Sequence, residues 1–270
     1  VGTLNAANTM IQAAESGYHA PSMAEFFPAA FLFEGTPFEM NRVMLIRVLA
    51  TVAVVVLLAV WAKRMKLVPS RFQSAMELAM EFVTVGIAED TMGKKRAKKF
   101  MPLIVAIFFG ILFWNVTKLI PFLNMPGTGV IGLPIVLTLT VYVTYHWAGI
   151  AEKGLGGYLK DSLILPGVPW PMHILLIPIE FITKFVTQPF TLAIRLFANM
   201  MVGHLLLVLC FSATSFFLLD AANGFQFFSI VTFAGGFFVF ILETLIVVLQ
   251  AYIFALLSCV YINAAVSDEH

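Results

Sequence analysis

The sequence predicts an all-α polytopic membrane protein: about five membrane-crossing helices, an amphipathic interfacial helix, and a final hairpin of two long tilted helices. Three observations predict it. The 270 residues are 60% hydrophobic and 11% charged, with mean hydropathy +0.95, which is more apolar surface than a soluble domain needs. Several apolar segments reach the ~20 residues that a helix needs to cross hydrocarbon. Nine of the 16 Lys and Arg lie between Lys63 and Lys99, a clustering that the positive-inside rule assigns to a cytoplasmic loop. The net charge of +1 gives no reason to expect nucleic acid as a partner.

Residues 1–41 carry Glu15, Glu25, Glu34 and Glu39, no Lys or Arg, and prolines at Pro21, Pro28 and Pro37. They read as an external segment near the membrane surface, leaving 42–270 as a single membrane domain. The first span is predicted at 43–61, anchored at its inner end by Lys63, Arg64 and Lys66. Arg47, one turn inside the outer end, is expected to snorkel to the headgroups. Over 69–92, Phe72, Met76, Ala79, Met80 and Val83 recur at helical spacing against Glu77, Glu81 and Glu89. That pattern predicts an interfacial helix, ended by Gly93. The following run KKRAKK reads as a solvated anchor to anionic headgroups.

The second span is predicted at 100–122 and contains Asn115 and Lys118, the lysine near enough to the outer end to snorkel. Pro121, Pro126, Gly127, Gly129 and Gly132 form the external turn. The third span is predicted at 134–150, with His146 as a hydrogen-bonded histidine at its inner end and 151–171 as an inner loop. Segments 173–219 and 227–262 each exceed the length of one upright crossing. The former must tilt, or break near Pro178 or Pro189. Asn223-Gly224 is the turn between them. Five crossings place the N-terminus outside and the C-terminus in the cytoplasm. Cys210 and Cys259, both in apolar runs, read as small buried hydrophobes. No internal repeat is present.

One stretch stands apart: QPFTLAIRLFANMMVGH, residues 188–204. Arg195 lies in hydrocarbon and cannot shed its proton, so it must face water or a partner. Thr191 and Asn199 flank it one turn either way, and Gln188 falls near the same face. The second arm of the hairpin carries Glu243 and Gln250, seven residues apart on one face. With a turn at Asn223, facing residues total about 446. The numbers of Arg195 with Gln250 total 445 and those of His204 with Glu243 total 447, so both pairs fit one antiparallel register to within about one turn of helix. His204 lies about 180° around the helix from Arg195, which predicts two environments, His204 with Glu243 in one and Arg195 in the other.

The residue types suit proton transfer. Histidine and a paired carboxylate can hold and release protons near neutral pH without a metal or any cofactor. Arg195 cannot relay a proton, but it can hold a passing carboxylate ionised and repel a proton from a direct crossing. The carboxylate that moves has no good candidate here, since Glu180 pairs with Lys184 at i,i+4. A partner must supply it.

RLFANMMVGH together with LETLIVVLQAYIFALLSCVY resembles the subunit a family of F-type ATP synthases, the stator beside the rotating c-ring. The likeness is strong over the last third, and the hydropathy order of the rest fits. The resemblance implies that Arg195 is the stator arginine facing the c-ring carboxylate. It implies that Asn199 and Gln250 position Arg195, and that His204 and Glu243 line the outer half-channel. Asn115 matches a family position near that channel, whereas Lys118 departs from the acid that some members carry. Implied partners are the c-ring, the subunit b stalk, the remaining F1Fo subunits and lipid, with H⁺ as the transported ion. The implied location is the bacterial plasma membrane rather than the mitochondrial inner membrane. Two other functions were weighed. A proton-coupled secondary transporter usually has internal repeats, and a purely structural membrane subunit needs no intramembrane arginine. An independent enzyme would need a nucleotide loop, metal cluster or nucleophile constellation that the sequence lacks.

Overall fold

The computed structural model describes residues 40–120, 123, 125–164, 169–219 and 226–267. The external segment up to residue 39, the Asn223-Gly224 turn and the last three positions lie outside the described residues. Within them, five helices are long and apolar enough to cross a membrane: Arg42–Lys63, Lys94–Leu119, Gly132–Leu163, Pro171–Leu219 and Phe227–Val266.

Helix α1 is Arg42–Lys63, capped by Asn41, whose side chain accepts from the Met44 amide. It buries one narrow stripe, Val43, Ile46, Ala50 and Val54, and leaves the remainder to lipid. Arg47 does not snorkel. Its Nε donates to Gly127 O at 2.6 Å and a terminal nitrogen donates to Val130 O at 3.3 Å. Turn carbonyls without a ladder partner are strong acceptors for a guanidinium. Gly127 lets the turn pack closely on Trp114, whose carbonyl accepts the Gly127 N–H at 2.8 Å; a Cβ there would meet Trp114 Cβ at 2.9 Å.

Helix α2 is Arg71–Glu81. It widens into π-helical turns over Phe82–Glu89, closes with Asp90–Met92, and stops at Gly93, whose φ of 73° suits glycine. Val83 is buried as the spacing predicts, and Ile87 and Met92 beyond it are buried too, but Phe72 stays 59% exposed. Gln73 turns inward instead, because its amide bonds both the N–H and the C=O of Lys66.

Helix α3 is Lys94–Val116, extended by a 3₁₀ turn Thr117–Leu119. It starts six residues before the predicted span, so the basic run forms its first turns and Ala97 is buried. Helix α4 is Gly132–Leu163, with a break at Gly154 (φ 71°). The predicted inner loop is therefore helical as far as Leu163. Beyond the break the chain folds back. The Tyr158 hydroxyl meets His146 Nδ1 at 2.6 Å, whereas twelve residues of straight helix would separate them by about 18 Å. Gly149 has no side chain to oppose this, since a Cβ there would overlap the Tyr158 ring. His146 is hydrogen-bonded, as expected.

Helix α5 is Trp170–Ile182 and α6 is Gln188–Leu219; a π-helical stretch, Thr183–Thr187, joins them. The irregularity sits at Pro189 rather than Pro178. Pro189 offers no N–H to the carbonyl four residues earlier and its ring crowds that carbonyl, which the wider turn relieves. Helix α7 is Phe227–Val266. It packs along α6 and also against α3 and α4. The core lies between them, around Ile104, Ile111, Val141, Phe254 and Ile262.

Candidate functional site: a buried ion pair and the arginine of the hairpin

The register of α6 on α7 can be read from contacts. Thr214 donates to Thr232 Oγ1 at 3.0 Å, and a Cβ on Gly236 would meet Cys210 Cβ at 3.2 Å. A Cβ on Gly203 would fall on the Glu243 carboxylate itself. The numbers of each of these pairs total 446, the expected register. Near the other end, Asn199 Nδ2 donates to Gln250 Oε1 at 2.9 Å, a drift of less than one turn. Gln250 therefore meets Asn199, and the expected Arg195–Gln250 pair lies one turn out of register.

Glu243 is 4% exposed and forms an ion pair with Lys118, whose side chain has no exposure. This corrects the expectation that Lys118 snorkels. The 3₁₀ turn Thr117–Leu119 brings the end of α3 beside α7, and a carboxylate in reach holds a buried ammonium better than a long path to water. His204, 2% exposed, follows Gly203 on α6 and lies within electrostatic range of Lys118. Asn115, one turn before Lys118, accepts a hydrogen bond from the Thr128 hydroxyl. The amide nitrogens of Asn115 and Gln250 are buried donors without a partner among the described residues.

Sequence reasoning missed Lys118 and Thr128 as members of this cluster. The signal available was the i,i+3 spacing of Asn115 and Lys118, which places both on one face.

Arg195 is half-buried, and Thr191 and Asn199 beside it are exposed. Among the described residues no carboxylate lies within ion-pair distance of Arg195: Glu243 pairs with Lys118, and Glu180 with Lys184 at 3.4 Å. The arginine charge reaches Tyr261 electrostatically. A groove of about 320 Å³ runs along the α6–α7 seam, lined by Asn199, Val202, Gly203, Leu206 and Glu243 among others.

The family model for the ATP synthase A chain matches residues 43–263. The chain belongs to this family. Relatives named ATP synthase subunit a agree along most of its length. That of Rhodococcus erythropolis is 45% identical over 94% of this chain and 92% of its own. That of Pseudarthrobacter chlorophenolicus is 36% identical over 96% and 98%. The Streptomyces lividans relative is 32% identical over 94% and 90%. Membership in the ATP synthase A chain family makes the chain a stator subunit of the Fo sector, a membrane protein of bacterial kind. It acts in proton transport and ATP synthesis within a complex of Fo and F1 subunits.

Proposed function

We propose that the chain supplies two offset half-channels to a ring of c subunits, with Arg195 facing the ring carboxylate between them. The observation that carries this is a half-buried guanidinium on an open helix face with no carboxylate beside it among the described residues. Thr191, Ile194 and Asn199 around it are exposed, which leaves a face for a partner. One half-channel uses His204, Glu243 and Asn115, with Asn199 and Gln250 positioning the arginine. The other leads through a cavity of about 90 Å³, room for about three waters, lined by Gln188, Tyr145, Tyr261 and Asp161 among others. Gln188 sits two turns from Arg195 on its polar stripe, and the half-exposed Asp161, paired with Lys153 at 2.8 Å, lies where the cavity meets solvent. Further partners are the subunit b stalk and lipid.

The test is reconstitution. The chain alone in vesicles should conduct no protons, and the chain with its ring should conduct them. Conduction by the chain alone would favour a secondary transporter.

The orientation proposed puts residues 63–99 and the C-terminus in the cytoplasm and the N-terminus outside. A cysteine at Lys95, an exposed position on the basic run, should react with a membrane-impermeant maleimide only from the cytoplasmic face. Labelling from outside would sink the five-crossing arrangement.

A further inference from the structure

The Lys118–Glu243 pair lies between two spaces. On one side is a cavity of about 500 Å³, lined by Lys118, Leu119, Ile120, Leu207, Ser212 and Ser215 among others. It reaches the surface at Ile120 and Ser215, both exposed. Lys118 is the one ionisable side chain among the residues lining it. On the other side is the groove along the α6–α7 seam, where Glu243 and Asn199 share a wall. The pair itself is shut off from solvent, with side-chain exposures of 0% and 5%. A proton passing between these spaces on this line meets Lys118 first and Glu243 second.

We propose that Lys118 is a proton-transfer residue of this half-channel, handing protons from the larger cavity to Glu243. The proposal rests on the half-channel reading above. The step balances simply. The Lys118 ammonium gives one proton to the Glu243 carboxylate, leaving a neutral amine and a carboxylic acid. The amine takes a proton from water in the cavity, and the acid releases its own into the groove. One proton has crossed and the ion pair is restored. In a water-poor site the charged and neutral forms of such a pair lie much closer in energy than in bulk water. Lysine suits the task and arginine does not, because a lysine amine can lose its proton in a desolvated site and a guanidinium cannot. A metal cation entering from the cavity finds the place beside Glu243 already filled by a tethered ammonium, so the same residue passes H⁺ and excludes Na⁺.

The test uses the whole ATP synthase in proteoliposomes, with Lys118→Arg, Lys118→His and Lys118→Gln measured beside the wild type. Readouts are assembly, ATP synthesis driven by an imposed proton gradient, and passive proton uptake by the membrane sector. A relay predicts an inverted ranking. Lys118→Arg keeps the charge and the pair but slows synthesis at least tenfold, while Lys118→His, which can carry a proton, outruns it. A purely electrostatic or structural role predicts Arg above His, and that result overturns the proposal. Where the Arg variant does not assemble, His is compared with Gln: a tenfold advantage for His supports the relay and equal rates overturn it. Arg195→Ala in the same vesicles reports separately on the half-channel reading. Synthesis by that variant brings down the reading itself, whereas wild-type rates in Lys118→Arg remove only the relay.

Discussion

Arg195→Ala is expected to abolish coupled ATP synthesis in an assembled complex and to open a passive proton leak through the membrane sector. The guanidinium is half-buried on an open face, and the described residues offer no carboxylate to pair with it. Its removal should therefore cost the fold little and the proton path much. Without it, nothing keeps a ring carboxylate ionised as it passes, and no fixed charge separates the groove at Glu243 from the cavity at Gln188. Arg195→Lys should abolish synthesis too, because a desolvated ammonium can release its proton where a guanidinium holds it. The measurements are ATP synthesis by the whole complex and proton flux in vesicles carrying its membrane sector. Near-normal synthesis in Arg195→Ala would falsify the assignment of the stator arginine.

Glu243→Ala is the second large effect, and it differs in kind. It strands the Lys118 ammonium in a site with no side-chain exposure. Breaking one partner from a buried pair costs roughly 3–5 kcal/mol, so this variant should lose assembled complex as well as proton flux. Removing both charges with Lys118→Met and Glu243→Leu should restore assembly, since buried pairs are often replaceable by apolar side chains of similar volume. It should not restore flux. Quantifying the assembled complex and measuring proton uptake on the same membranes separates the two. Recovery of flux in the double variant would show that Glu243 is only a structural anchor. The corresponding exchange, His204→Glu with Glu243→His, should recover part of the flux lost in either single change only where the new carboxylate still reaches Lys118.

These two cases divide what was legible from what was not. Arg195 and the stripe around it were visible because helical periodicity is local: four residues are one turn wherever the helix sits. Their environment was legible too, since an arginine in an apolar run must face something polar. The partner of Glu243 was not. Lys118 is 125 positions away, and a lysine near the end of a span has the same hydropathy whether it snorkels to lipid or turns inward to a carboxylate. Arg47 shows the same ambiguity, resolved by carbonyls of a turn 80 positions later.

By itself the sequence determined the class of fold, the number of crossings, and the register of the final hairpin, which Gly203 against Glu243 and Thr214 against Thr232 obey. Hydropathy and helical period act over a single turn or a single span, and two helices joined by a short turn have little freedom in how they align. Only the tertiary structure decided that α4 doubles back at Gly154, that the wide turn falls at Pro189, and that Lys118 pairs with Glu243. A buried charge goes to whichever opposite charge or free carbonyl the packing of distant helices brings within reach, and no local pattern encodes that distance.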